Sequence, residues 1–434
     1  MKFRITLFQG IFLGVFALAA VIGLFVFATY TGSGGGNAIG TVTIWGTLPE
    51  SQVQTALATI IRNDQTLKNV TYAQKDASTL PSELTAAIAA GTPPDLVLAS
   101  QEELVPLSRF LAPIPASTLS ARTFQNTFIG EGNLLAAADG YYGIPFLVDP
   151  LVLFSNNSIL SSDGIATPPA TWEALTGLVP KVAQLTDSRS VTRGLIALGT
   201  YANVHDARAI LSTLFFQAGV RVSGRSAQTG QLIADLGTAA SGVPPGQAVL
   251  GFYTQFADPT KVSYTWNASL PDSEQAFQNG DLGLYLGFAS EARYLAQANP
   301  NLDFDVSPVP QPATAATKTG FGLLYSLMVP RSAPNPNGAY QTASKLAGDA
   351  AQAAFASATG LAPASRSALG SAPDDPIAAV AYAEALYANG WLSPQPYDTD
   401  TVFSDMIGNV ISGRTTLQTA LQQAQARLSA FLEQ

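Results

Sequence analysis

Short apolar runs and amphipathic stretches alternate along this chain and predict an α/β protein. Residues 282–288 (LGLYLGF) form an apolar run bounded by Gly280 and Ser290, and its length favours a buried strand over a helix. Ser290 can cap the helix that follows, with Glu291 in its first turn. A strand that leads directly into a helix N-terminus places free backbone N–H groups at a sheet edge, where open α/β folds bind ligands.

The order of elements near the start of the pattern predicts a parallel sheet. Strands are expected at 41–45, 70–73 and 95–99, with amphipathic helices at 50–62 and 83–90 between them. Strands that alternate with helices in this way pair in parallel through crossover connections. The loop after each strand is therefore a candidate ligand contact.

The rest of the chain continues the same alternation with more helix. Two extended runs are expected within 142–156, on either side of Asp149 and Pro150, and a strand is expected at 320–329. The predicted helices cover 207–218, 231–240, 248–258, 273–278, 338–348, 350–359 and much of 401–432.

An apolar segment at the N-terminus predicts a membrane anchor. Residues 5–30 carry no charge and are long enough to span a bilayer, while Lys2 and Arg4 orient the N-terminus to the inside of the cell. The run is longer than the core of a signal peptide and lacks a clear cleavage site, so an uncleaved anchor over 1–30 is the favoured interpretation. Residues 31–40 read as a glycine-rich tether, and the remainder is expected outside the membrane.

Composition removes several classes of function. The net charge is −9 and the basic residues are scattered, which argues against nucleic acid as a partner. There is no cysteine, so disulfides and thiolate chemistry are excluded, and so is a lipid on a cysteine. The single histidine, His205, favours a solvated or capping role, and no metal site, cofactor motif or catalytic motif is expected. We therefore expect a protein that is not an enzyme, although a carboxylate pair for glycoside hydrolysis stays open.

Several motifs in order along the chain resemble the family 1 extracellular solute-binding proteins, the receptors of sugar-type ABC importers. The matching segments are 142–145 (YGIP), 168–175 (PPATWEAL), 276–281 (AFQNGD), 308–310 (PVP) and 352–367. The resemblance implies a type II periplasmic binding protein fold with two discontinuous lobes. One lobe would comprise 41–147 and 289–330, and the other 148–288 and 331–434, with a first crossing near 146–150.

Sugars present an apolar face and a rim of hydroxyls, so their sites combine flat aromatic rings with polar side chains. Trp45, Trp266 and Trp391 are candidates for stacking, and for each the alternative is a packing role in the core. Trp172 belongs to the start of a helix and is expected to be structural.

Polar candidates follow strands or lie at the proposed crossing. Asp149 is foremost, because a carboxylate between two apolar runs must be hydrated, paired or bound to ligand. The other polar candidates are Gln101, Glu102, Tyr201, Asn203, Ser290 and Glu291. Arg366 matches an arginine of the family that braces the structure.

The resemblance implies a monomeric extracytoplasmic receptor, anchored in the cell membrane, that captures a sugar or oligosaccharide between its lobes and delivers it to the permease of an ABC importer. Anchoring would hold it near the permease at a high effective concentration. Two alternatives stay open. A receptor for a polyamine or peptide would use Glu102, Asp149 and Glu291, and an anchored sensing or adhesion protein would keep the fold without transport.

Overall fold

The protein is described by a computed structural model over residues 39–226, 229–239 and 241–433. The predicted anchor (1–30) and most of the predicted tether (31–40) lie outside these residues. Ile39 at the end of the tether is only 3% exposed, and its carbonyl accepts a hydrogen bond from the Asn335 side chain. This end of the predicted tether is therefore packed on the fold. Over the described ranges, no helix has both the length and the apolar character needed to cross a bilayer.

Strands and helices alternate through the described chain. The strands are β1 (Val42–Gly46), β2 (Val70–Gln74), β3 (Leu96–Ser100), β4 (Ala136–Ala137), β5 (Gly140–Tyr141), β6 (Gly143–Asn156), β7 (Gln184–Leu185), β8 (Val191–Ile196), β9 (Val222–Arg225), β10 (Leu232–Asp235), β11 (Leu282–Phe288), β12 (Phe304–Ser307), β13 (Gly320–Met328), β14 (Ala362–Pro363) and β15 (Ala388–Asn389). The α-helices are α1 (Glu50–Asn63), α2 (Leu80–Ala90), α3 (Leu104–Leu107), α4 (Ala121–Thr127), α5 (Asn157–Ser162), α6 (Trp172–Val182), α7 (Ala207–Gln217), α8 (Pro245–Thr254), α9 (Ser273–Asn279), α10 (Glu291–Ala298), α11 (Pro336–Leu346), α12 (Asp349–Thr359), α13 (Arg366–Leu369), α14 (Pro376–Ala385), α15 (Pro396–Ile411) and α16 (Leu417–Leu432).

One large mixed sheet runs through the described part of the molecule in the order β2-β1-β3-β13-β6-β11-β8-β7. β1 pairs in parallel with β2 and β3, which confirms the parallel arrangement predicted for the N-terminal strands. β11 spans the predicted 282–288 and pairs in parallel with β8.

The long strand β6 joins the two halves of the sheet. The sequence predicted two extended runs around Asp149 and Pro150, and the structure shows a single fourteen-residue strand that is buried at every position. Its first half pairs with β13 and its second half with β11, both antiparallel. Because strands lie on both of its edges and other elements cover its faces, β6 reads as an almost continuous apolar run.

Two hydrophobic clusters flank the midpoint of β6. The first core holds side chains of β1 to β3 together with Phe146 and Val148, and the second core holds Leu151 and Phe154 with the side chains of β8 and β11. The side chains of β6 therefore change from one core to the other around Asp149.

The two cores divide the later chain differently from the predicted lobes. Phe355 and other side chains of α11 and α12 lie in the first core, although 331–434 was predicted to belong to the second lobe. Leu295 and Val309 lie in the second core, although 289–330 was predicted to belong to the first. The hydrophobic contacts therefore group these segments differently from the predicted lobes, because an amphipathic pattern shows that a helix is packed without showing against which core.

The helix predicted at 231–240 is also wrong. The structure has strand β10 there, paired antiparallel with β9. Ala234 is buried while Ile233 is 47% exposed, so the side chains alternate with the period of two that defines a strand with one covered face.

A cap explains where α6 begins. The Thr171 hydroxyl accepts a hydrogen bond from the backbone N–H of Ala174 at 3.2 Å. We expect Thr171→Ala to lower the free energy of unfolding by about 1 kcal/mol, because a backbone donor loses its partner. Thr85→Ala, in the exposed face of α2, is the control and should change stability by less than about 0.5 kcal/mol in urea denaturation. Equal effects of the two substitutions would contradict the cap.

Candidate functional site

Asp149 lies where β6 passes between the two cores. Its carboxylate is 4% exposed and accepts hydrogen bonds from the backbone N–H of Ser290 at 3.1 Å and from the Ser290 hydroxyl at 2.6 Å. Burial raises the pKa of Asp149 to about 7, although the bonds from Ser290 oppose that shift. Ser290 was predicted to cap α10, but its side chain bonds Asp149 and makes no cap. The predicted polar group at the crossing is thus tied to the start of α10.

An ion pair connects the region after β3 to helix α7. Glu102 follows β3 in a short turn of 3₁₀ helix, and its carboxylate is 2.5 Å from a guanidinium nitrogen of Arg208 in the first turn of α7. Arg208 also donates to the Pro396 carbonyl at 3.0 Å and lies 3.6 Å from Asp400. Both members of the pair are largely buried, with exposed side-chain fractions of 17% for Arg208 and 9% for Glu102. Burial raises the pKa of Glu102 while the positive charge of Arg208 lowers it.

Tyr201 extends this network. The tyrosine lies in the loop after β8, and its hydroxyl donates to the Asp400 carboxylate on α15 at 2.5 Å. Burial and the neighbouring charge of Asp400 both raise the pKa of Tyr201, which therefore stays protonated and acts as a donor. Glu102, Arg208, Asp400 and Tyr201 form one connected polar chain from β3 to α15.

A second group of carboxyls surrounds the start of α10. The Tyr285 hydroxyl donates to Glu291 at 2.5 Å, and the backbone N–H of Phe288 donates to the other Glu291 oxygen at 2.8 Å. Asp206 precedes α7 with a positive φ of 53° and interacts with the Glu291 carboxyl. Burial raises the pKa of Asp206 to about 7 and that of Glu291 well above its ordinary value.

Gly287 makes room for this group. A Cβ at Gly287 would lie 2.5 Å from a Glu291 oxygen and 2.5 Å from the Tyr285 ring. Those distances are too short for a real side chain, so glycine lets Glu291 and Tyr285 lie across the backbone of β11.

The tryptophans do not line this region. Trp266 is 1% exposed and Trp391 is 2% exposed, and both lie in the second core, where the Trp391 indole donates to Ser212. Both rings therefore have the core packing that was the alternative to stacking on a ligand. The Lys75 ammonium lies 4.1 Å from the centre of the half-buried Trp45 ring, so a cation covers that face. Trp172 is buried and donates to Gln217, in agreement with its predicted structural role.

Other predicted polar residues hold the framework. The Gln101 side chain bonds the carbonyl of Gly322 and the N–H of Leu324 on β13. Asn203 donates to backbone carbonyls of the 267–271 loop, and Arg366 donates to the Phe128 carbonyl at 2.7 Å as the predicted brace. The side chains of Gln101 and Asn203 are hydrogen-bonded to backbone groups of the protein, so few of their donors and acceptors remain for a ligand.

Sequence reasoning missed Arg208, Asp206 and Asp400. Arg208 and Asp400 lie within helices and Asp206 lies just before one, and the partner of each is far away in the chain. Only the folded arrangement shows that the partners meet, although the rarity of buried arginine would have ranked Arg208 high had its burial been known.

A polar cavity of about 500 Å³ lies apart from these carboxyls. It is lined by Thr200, Asn267, Ser404, Asp405, Asn409 and Arg414, among others. Thr200 lines this cavity and directly precedes Tyr201 in the chain, so the cavity borders the loop after β8. The cavity contains none of the strongly shifted carboxyls, so we place the candidate site at Asp149, Glu102 and Glu291.

The fold is that of the two-part α/β periplasmic binding proteins, with a mixed sheet, covering helices and a polar cluster at the crossing strand. The family model described as bacterial extracellular solute-binding protein matches residues 63–384, and the chain belongs to this family. The resemblance found in the sequence motifs is thereby confirmed, and the family places the domain outside the cytoplasm.

Solved structures with the same fold are distant in sequence. The cyclic alpha-maltosyl-1,6-maltose binding protein from Arthrobacter globiformis is 15% identical, with a TM-score of 0.72 over 91% of this chain and 99% of that chain. The GacH receptor of Streptomyces glaucescens, solved unliganded and with acarbose, is 15% identical, with a TM-score of 0.67 over 91% and 98%. The Thermus thermophilus maltotriose binding protein is 17% identical, with a TM-score of 0.63 over 90% and 99%. No curated protein matches the chain.

Proposed function

We propose that this protein is the receptor of an ABC importer and captures a sugar or oligosaccharide between its two cores. The carrying observation is Asp149, a buried carboxylate at the strand that joins the cores, beside the N-terminus of α10. The family supports a binding protein with no catalytic reaction. The structural neighbours support a carbohydrate ligand, because they bind maltooligosaccharides or acarbose.

Among the site residues predicted from the sequence, we propose that four face the ligand: Asp149, Ser290, Glu291 and Tyr201. Glu102, Arg208 and Asp400 join them, since the same polar chain connects these residues. The Glu102–Arg208 pair closes one side of the cleft, and hinge motion at β6 would open it. The closed form would be the one that a permease recognises, with residues 5–30 as the anchor.

Thermal stability with sugars tests this proposal. We expect maltotriose, or another oligosaccharide in a panel, to raise the Tm of the full-length protein, because a ligand at 100 times its Kd stabilises the folded state by about 2.7 kcal/mol. Asp149→Asn should abolish most of the shift, because the amide cannot accept both hydrogen bonds from Ser290 and the start of α10 is then displaced in the cleft. The control Asp405→Asn changes an exposed ion pair with Arg427 and should keep the shift.

Two results would contradict the proposal in different ways. Absence of a shift with every mono- and oligosaccharide would reject the carbohydrate ligand. A shift that survives Asp149→Asn but is lost in Asp405→Asn would move the site to the cavity at Asp405 and Asn409.

A further inference from the structure

The polar cavity beside α15 differs from the proposed cleft in its charges. Its volume of about 500 Å³ lies within the range of small-molecule sites. The charged residues of its lining are Asp405 and Arg414. Asp405 is already paired with Arg427 at 2.6 Å, whereas Arg414 has no ion-pair partner in the part of the chain that the structure describes. The lining charge that is left to act on a ligand is therefore positive.

One wall of the cavity is the C-terminal half of α15 with the turn that follows it. The backbone N–H groups of Arg414 and Thr415 both donate to the Asn409 carbonyl, at 2.9 and 3.2 Å. The N–H of Gly413 donates to the Val410 carbonyl at 3.0 Å, and its positive φ of 69° lets the chain turn there. These bonds hold the backbone of Arg414 beside Asn409.

The opposite wall is built from the loops that contain Thr200 and Asn267. The Asn267 side chain donates to the Tyr264 hydroxyl at 2.8 Å and accepts from the N–H of Ser269 at 2.8 Å. The Asn267 carbonyl accepts from the Asn203 side chain at 2.9 Å, and the Thr200 hydroxyl donates to the same side chain at 2.6 Å. Both walls are thus fixed by internal hydrogen bonds, which lowers the cost of ordering them around a ligand.

Three polar side chains on the α15 wall have no partner within the protein. Ser404 and Asn409 are half-buried, yet neither side chain makes a hydrogen bond to another described residue, and the Arg414 guanidinium makes none either. Most side chains of this kind are satisfied by the fold when they are covered. A hydroxyl, a carboxamide and a planar guanidinium that converge on one cavity form the polar part of a small-molecule site.

We propose that this cavity is a second ligand site, separate from the cleft, for a small hydroxylated carboxylate such as a sugar acid. The Arg414 guanidinium pairs with the carboxylate, whose two oxygens match its planar fork. Asn409 and Ser404 bond the hydroxyls of the ligand. A neutral sugar would leave Arg414 without a partner, and a cation would be repelled by it. The proposal needs no ligand in the cleft, so it does not depend on the proposed receptor function.

Calorimetric titration of the full-length protein at pH 7 tests the site with glucuronate, gluconate, glucose and acetate. We expect both sugar acids to bind at least about ten-fold more tightly than glucose, because the ion pair with Arg414 adds a charge-assisted bond. They should also bind more tightly than acetate, which has no hydroxyls for Asn409 and Ser404. Arg414→Gln should remove the preference over glucose. The control Arg62→Gln removes the same charge from an exposed position on α1 and should leave the preference unchanged.

A larger side chain at Gly408 gives a second test that leaves every polar group in place. Gly408 lines the cavity, and a Cβ at this position would meet no atom within 4 Å. The side chain of Gly408→Leu therefore enters the cavity, and we expect it to abolish binding of the sugar acids. Gly177→Leu in α6 is the matched control, because a Cβ there also meets no atom within 4 Å. Leucine favours a helix over glycine, so both variants should fold, and their Tm values check this.

The contrary outcomes overturn the proposal in separate ways. Equal binding of the sugar acids and glucose removes the role of the carboxylate, and acetate that binds as tightly as glucuronate reduces the site to a surface ion pair. Absence of binding by both sugar acids at millimolar concentration rejects the site. Binding that survives Gly408→Leu, or that is lost in Asp149→Asn, places the acid outside this cavity. Failure of neutral saccharides to stabilise the protein would reject the receptor function and leave this second site standing.

Discussion

Arg208→Met is expected to destabilise the folded protein by about 3–5 kcal/mol, because it leaves the Glu102 carboxylate buried without its partner. Both side chains of the pair are mostly buried, so water cannot replace the lost contact. Urea denaturation followed by circular dichroism would measure the loss. The double variant Arg208→Met with Glu102→Gln should recover part of the stability, since no unpaired charge then remains at Glu102.

A surface ion pair is the matched control for Arg208. Arg427 lies 2.6 Å from Asp405, with exposed side-chain fractions of 43% and 54%. Arg427→Met should cost less than about 1 kcal/mol, because water screens exposed pairs. If Arg208→Met and Arg427→Met cost the same, the Glu102–Arg208 contact is not a buried ion pair and the closed cleft is wrong.

The second large effect is on the pH dependence of stability. We expect the free energy of unfolding to fall as the pH rises from about 4 to about 7. Burial raises the pKa of Glu103, Asp149, Asp206 and Glu384 to about 7 in the folded protein. In the unfolded chain such groups titrate near pH 4. The folded state therefore holds extra protons between these values, and its advantage disappears as the pH reaches the folded pKa.

Melting temperatures measured from pH 4 to pH 8 would test this expectation. Each group that keeps its proton only when folded contributes a slope of about 1.4 kcal/mol per pH unit. Asp149→Asn removes one such group and should make the decline shallower. The pKa of exposed Asp76 and Asp258 is lowered, so these groups titrate below this window. Stability that rises between pH 5 and pH 7 would show that the buried carboxyls are ionised at low pH.

Much of the local structure was predictable, because periodicity and capping act within a few residues. β11 matches its predicted span, and α2 ends at Gly91, whose φ of 74° explains why glycine stands there. The parallel order of the first strands followed from their alternation with helices.

The site was predictable only in part, because its contacts join distant residues. Asp149, Ser290 and Glu291 were found because they border apolar runs. Arg208 meets Glu102 across 106 residues and Tyr201 meets Asp400 across 199, and no local pattern reports such pairs. The sequence places Trp266 and Trp391 in loops, but it does not show whether their rings are buried or exposed. Their burial depends on which helices cover the loop.

The strand β6 also affects how the chain is made. Its two edges pair with β11 and β13, which are synthesised more than a hundred residues later. A growing chain that has reached Asn156 therefore carries this mostly apolar strand of fourteen residues before β11 and β13 have been made. Until 282–328 emerge, this segment resembles an open sheet edge that can join other chains. Secretion in an extended state, with a chaperone on this segment, would protect the protein from aggregation until β11 and β13 pair with β6.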